Sequence, residues 1–167
     1  MDLSIEEAIE KLNNGEVIGV PTDTVYGLSS CLDYGEKIYE AKQRSHGKKL
    51  ITMLHDYKCL EITNPVLKKR MEEVWPGAVT LIFEYNSEMT SFRIPNEPNL
   101  LLLLERLGKP IYTTSANISG EDPCLSREEF KQKFPNIGLL KEDIDSLKSA
   151  VPSEIYVFNN NQFERIR

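Results

Sequence analysis

Val17-Ile18-Gly19-Val20-Pro21-Thr22-Asp23-Thr24-Val25-Tyr26-Gly27-Leu28 joins a short strand-like run to a loop dense in polar groups. Residues 17–20 read as a buried strand. Pro21 ends it, because proline fixes its own φ and has no N–H to give a ladder. Positions 22–27 then hold two hydroxyls, a carboxylate and a phenol before a glycine that frees the backbone. Taken alone, such a stretch is a turn whose Asp and Thr side chains hydrogen-bond their own backbone. Placed at the end of a strand, it is also where α/β folds gather ligands.

The neighbouring elements alternate. Ser4-Ile5-Glu6-Glu7 has the form of a capping box, and Ile5, Ala8, Ile9 and Leu12 recur at helical spacing up to Gly15. A short helix is expected over 36–43, with Ile38 and Ala41 inward, then a strand over 50–54. Asn64-Pro65 opens a helix with proline at a favoured first position, an apolar face of Leu67, Met71, Val74 and Trp75, and a stop at Pro76-Gly77. A strand follows over 78–83, with 91–94 as its neighbour. A Leu-rich helix over 98–107 stops at Gly108, and 109–114 is a short strand. Ser126-Arg127-Glu128-Glu129 is a second capping-box pattern, starting a last helix that ends near Pro135. Residues 155–158 and 163–167 form a hairpin around Asn159-Asn160-Asn161. The alternation predicts an α/β sheet with helices packed on it, as one domain over 1–167.

Composition narrows the function. The 167 residues are 40% hydrophobic and 28% charged, enough for one continuous core. No apolar run reaches the roughly 18 residues of a membrane span, and the acidic start lacks the pattern of a secretory signal. A cytoplasmic location without membrane association is expected. Three cysteines without a C-x-x-C pair, and only two histidines, argue against a disulfide framework or a structural zinc. Any metal would arrive with a ligand, as magnesium does on ATP phosphates. The net charge of −6 argues against nucleic acid as the main partner but permits a local basic pocket and weak RNA binding.

Two more segments carry chemistry. Ala41-Lys42-Gln43-Arg44-Ser45-His46-Gly47-Lys48-Lys49-Leu50 sets four cations between a helix and a strand. They could converge on a polyphosphate or lie on a solvated loop. Thr113-Thr114-Ser115-Ala116-Asn117-Ile118-Ser119-Gly120 follows a strand with small donors suited to phosphate or carboxylate, or to capping a helix. Walker and G-x-G-x-x-G loops are absent, as is G-x-S-x-G. Catalysis by positioning and charge stabilisation is expected, without a covalent intermediate.

Pro21–Gly27, Lys42–Lys48, Trp75-Pro76-Gly77 with Thr80, Phe92-Arg93-Ile94-Pro95, the Thr113–Gly120 stretch, Pro152-Ser153 and a late arginine come in one order. In these motifs the chain resembles the YrdC-like family of threonylcarbamoyl-AMP synthases, of the single-domain TsaC type. The resemblance implies a twisted open mixed α/β sheet with flanking helices and a concave basic cleft. It implies ATP, L-threonine and bicarbonate as substrates, magnesium with the ATP, and a downstream tRNA-modifying threonylcarbamoyl transferase complex.

It also implies roles. Thr24, Arg93 and Ser153 would bind threonine, with Arg93 on its carboxylate. Lys42, Arg44, Lys48, Thr80, Ser115, Asn117 and Arg167 would bind ATP, with Arg165 as the alternative to Arg167. Arg44 and Lys48 would be catalytic, facing the phosphates and the carbamate. Lys49, Met53 and Thr113 depart from the usual pattern, and His55 is given no role. The alternatives are a YciO-type paralogue, which lacks a clear S-A-N-x-S-G, and a non-catalytic RNA-binding module.

Overall fold

The computed structural model describes residues 1–43, 50–142 and 150–167. In chain order the elements are β1 (Asp2–Leu3), α1 (Ile5–Asn13), β2 (Ile18–Val20), β3 (Gly27–Cys31), α2 (Gly35–Lys42), β4 (Ile51–Met53), α3 (Pro65–Val74), β5 (Val79–Tyr85), β6 (Glu88–Arg93), α4 (Pro98–Leu107), β7 (Ile111–Ser115), α5 (Arg127–Lys133), β8 (Leu139–Leu140), β9 (Glu154–Asn159) and β10 (Gln162–Arg165). Single 3₁₀ turns occupy Leu32–Tyr34 and Tyr57–Leu60.

The helices begin and end where local chemistry dictates. Ser4 and Glu7 form the full reciprocal capping box of α1. The Asn64 side chain accepts from the N–H groups of Val66 and Leu67, with Pro65 in the first turn of α3. Gly108 ends α4 at φ 74, which glycine adopts without a Cβ penalty. At α5 the expected box is altered. Ser126 accepts from the Glu129 N–H, but the Glu129 carboxylate accepts from the N–H of Leu125.

Ten strands form one mixed sheet in the order β1-β8-β2-β3-β7-β4-β6-β5-β9-β10. The β9–β10 hairpin turns through Asn160 and Asn161, both at positive φ as a type I′ turn requires. β3 was not among the expected strands. It lies between β2 and β7 and is buried along its whole length, so Gly27-Leu28-Ser29-Ser30-Cys31 shows no apolar–polar alternation. Its buried Ser29 hydroxyl is satisfied by Thr113 at 2.7 Å.

Helices cover the two faces unequally. α2, α3 and α5 pack on one face, through Ile38, Leu67, Met71, Phe130 and Phe134. On the other, α1 and α4 bury Ala8, Leu12, Leu100, Leu103 and Leu104 against Ile18, Val20 and Ile111. Beyond them, that second face remains open where β4, β5, β6 and β9 contribute Met53, Thr80, Arg93 and Ile155 to a cavity wall.

Gly19 is the closest approach in the core. A Cβ there would lie 2.2 Å from Cζ of the fully buried Phe130. Gly19→Ala is expected to cost about 1–3 kcal/mol in urea unfolding, the usual range for overpacking. Adding Phe130→Leu should make the alanine less costly than it is in the wild-type background. A Gly19→Ala chain as stable as wild type would contradict the packing described.

Candidate active site

The open part of the sheet floors a cavity of about 520 Å³. Its floor follows from strand alternation. In β5, Thr80 and Ile82 face the cavity while Leu81 and Phe83 pack toward α3. In β6, Ser91 and Arg93 face it while Phe92 packs toward α3. The antiparallel register pairs Leu81 with Phe92 and Ile82 with Ser91, so Thr80 and Arg93 share one face.

Arg93 is 3% exposed. Its Nε donates to the Gly77 carbonyl at 3.0 Å and its Nη1 to Thr24 Oγ1 at 3.1 Å. Its Nη2 donates to, and forms an ion pair with, the Asp23 carboxylate. Burial lowers the Arg93 pKa, opposed by the adjacent Asp23 charge, while Arg167 lowers it further. A guanidinium carries five N–H donors. With three engaged, one remains on each terminal nitrogen. The loop it grips is internally braced: Thr22 Oγ1 donates to the Val25 carbonyl and accepts from the Thr24 N–H at 3.0 Å.

A second cation anchors the opposite wall. Lys42 is 2% exposed, and its Nζ donates to the Ser115 carbonyl at 2.6 Å and to Asn117 Oδ1 at 2.9 Å. Asn117 Nδ2 donates to the carbonyls of Ile118 and Glu121, at 3.0 and 3.1 Å. Ser115 Oγ donates to Asn117 Oδ1 at 2.5 Å. The ammonium of Lys42 thus holds the loop that carries Ser115 and Asn117.

A third wall comes from the C-terminal part of the chain. Thr80 and Ser153 share a hydroxyl–hydroxyl bond of 2.8 Å. Arg167 Nε donates to the Ser153 carbonyl at 2.9 Å and Nη2 to Ser153 Oγ at 3.2 Å. Burial lowers the Arg167 pKa. Arg165 instead pairs with Glu154 at the surface, with its side chain 58% exposed.

Thr24, Arg93 and Ser153, the threonine-side candidates, all line this one cavity. So do Lys42, Thr80, Ser115, Asn117 and Arg167 from the nucleotide side. Arg44 and Lys48 lie outside the described residues. Asp23 had no role assigned from the sequence, and its pairing with Arg93 had no local signal across 70 positions. Ser91 was not singled out from the sequence either; lying two residues before Arg93 on β6, it shares that residue's face. Among the described residues, no group of three or more His, Cys, Asp or Glu could hold a metal.

A family model named Sua5_yciO_yrdC, described as "Telomere recombination", matches residues 10–167. The chain belongs to the Sua5/YciO/YrdC family. Within this family it is 32% identical over 154 residues to a threonylcarbamoyl-AMP synthase of Rattus norvegicus, covering 82% of this chain and 54% of that one. It is 30% identical over 172 residues to the threonylcarbamoyl-AMP synthase of Yersinia pestis (strain Pestoides F), covering 90% and 89%. The crystal structure of P. abyssi Sua5 complexed with L-threonine superposes with a TM-score of 0.89 at 22% identity, covering 100% of this chain and 56% of that one. The chain spans about half the length of the Rattus norvegicus relative.

The Asp23–Arg93 pair gives a direct test of the site's construction. Asp23→Ala leaves a buried guanidinium without its counter-charge, a loss of about 3–5 kcal/mol in cases of this kind. Urea unfolding should show a destabilisation of that order. A change below about 0.5 kcal/mol, the level of a neutral surface substitution, would mean that the pair does not brace the site.

Proposed function

We propose that this chain is a threonylcarbamoyl-AMP synthase, joining L-threonine, bicarbonate or CO₂, and ATP and releasing pyrophosphate. The observation that carries the reading is the meeting of eight motif residues from seven chain segments in one cavity. The named relatives and the threonine complex of P. abyssi Sua5 support it.

In the first step the threonine amine attacks the carbon of CO₂ and loses a proton, giving a carbamate; with bicarbonate, the same attack expels the hydroxyl of the bicarbonate, which leaves with the amine proton as water. A carbamate oxygen then attacks the α-phosphorus of ATP. The bond from that phosphorus to the bridging oxygen breaks, and the oxygen leaves with pyrophosphate. The two unengaged N–H groups of Arg93, with the Thr24 hydroxyl, would hold the threonine carboxylate, and Ser153 would complete that side. Thr80, Ser115, Asn117 and Arg167 would position the nucleotide. Lys42 would act through Ser115 and Asn117, since its ammonium already donates to both. Arg44 and Lys48 keep the phosphate-facing roles that the family resemblance implies.

Alignment of reactants in a closed cleft can contribute about 7–11 kcal/mol in the best cases, and excluding water protects a short-lived carbamate. No Asp or Glu is among the described cavity-lining residues. Magnesium would therefore take its ligands from ATP phosphates and water, where it would offset charge on the leaving group. The product would pass to a tRNA-modifying threonylcarbamoyl transferase complex in the cytoplasm. No helix among the described residues is long and apolar enough to cross a membrane.

Incubation with ATP, magnesium, L-threonine and bicarbonate should yield threonylcarbamoyl-AMP by mass spectrometry, and omitting any one component should abolish it. Salt-dependent RNA binding without threonine-dependent pyrophosphate release would overturn the reading in favour of an RNA-binding module. Arg44→Ala and Lys48→Ala are each expected to remove most product formation with the circular dichroism spectrum unchanged. Asn117→Ala should lower kcat/KM about 100-fold, the scale of a 1 Å misplacement of reacting groups. Wild-type turnover in all three variants would remove these residues from the mechanism.

A further inference from the structure

A second cavity, of about 400 Å³, lies on the opposite face of the sheet. Thr52 places it there: its neighbours Ile51 and Met53 line the first cavity, so alternation turns Thr52 the other way. Thr52 pairs with Tyr112 on β7, and both line the second cavity with Thr90 of β6.

Thr52 is 5% exposed, yet its hydroxyl has no hydrogen-bond partner among the described residues. Buried hydroxyls are ordinarily satisfied, so Thr52 brings to the cavity wall a polar side chain without a partner among the described residues. Three acidic residues line the same cavity from three elements: Asp33 of the 3₁₀ turn, Glu36 of α2 and Glu88 at the start of β6. Those of Asp33 and Glu88 have no ion pair or hydrogen bond among the described residues. No lysine or arginine is among the cavity's described lining residues, and the walls between the acids are apolar or aromatic, including Leu50 and Tyr39.

We propose that this second cavity binds a small organic cation, an alkylammonium or guanidinium group on an apolar stem. The Asp33 and Glu88 carboxylates supply the counter-charge, the tyrosine rings and Leu50 cover the stem, and the Thr52 hydroxyl accepts from the cationic N–H. An inorganic anion is disfavoured by the same two carboxylates. Rings that face a cation add attraction when water is excluded. The inference is independent of the reaction proposed for the first cavity. The two cavities do adjoin, because Met89 lines both.

The full chain, labelled for amide NMR, would be titrated with agmatine and with 1,4-diaminobutane at 150 mM salt, using 1-butanol as the neutral control. Saturable shifts at the amides of Thr52, Thr90 and Tyr112 are expected with both cations and absent with 1-butanol. Asp33→Asn combined with Glu88→Gln should weaken binding at least ten-fold, and Thr52→Val should weaken it measurably. Both acids are exposed, so the double variant should keep the wild-type spectrum elsewhere. Shifts that never saturate, that persist undiminished in the double variant, or that 1-butanol reproduces would overturn the proposal.

Discussion

The candidate active site depends on burying one guanidinium. Arg93 sits on a sheet strand at 3% exposure, and a cation there is tolerated only with counter-charge and full hydrogen bonding. Its partners come from two segments distant in sequence: the turn after α3 through Gly77, and the loop after β2 through Asp23 and Thr24. That need fixes the loop over the sheet and leaves Thr24 facing the cavity. It also leaves two N–H donors of the same group without a partner among the described residues, so one residue both assembles the site and offers a place for a carboxylate.

Lys42 does the corresponding work on the other wall. An ammonium has three donors and no acceptor, and at 2% exposure each donor must find oxygen. The Ser115 carbonyl and hydroxyl and the Asn117 amide provide it, so the helix end of α2 is bound to the end of β7 and the loop after it. The two walls are thus positioned by buried cations rather than by apolar packing. Apolar packing lies beneath and beside them, in α3 behind β5 and β6 and in α1 and α4 at the other end of the face. This division suits a cleft that must stay polar and open while its frame stays fixed.

Much of this was legible in the sequence because the signals are local. The Ser4 capping box, Asn64-Pro65 and Gly108 set helix ends within a few residues of themselves. The motif order pointed to residues that do meet in one cavity. What was hidden depends on distant partners. β3 is buried on both faces and so carries no alternation, while β1 and β8 are two residues long and exist only through their pairing with each other and with β2. Lys42 read as a cation for phosphate because its buried acceptors lie more than 70 positions away. Between Arg165 and Arg167 the sequence offered no local distinction; Arg167 donates to Ser153, while Arg165 pairs with Glu154.

The central claim is that Arg93 and Thr24 receive the amino-acid carboxylate while Ser115 and Asn117 face the nucleotide. A crystal structure of the full chain with L-threonine and a non-hydrolysable ATP analogue tests it most directly. The account predicts the threonine carboxylate within hydrogen-bonding distance of the Arg93 guanidinium and the nucleotide against the Ser115–Asn117 loop. Threonine bound away from Arg93, or a nucleotide outside this cavity, would contradict it.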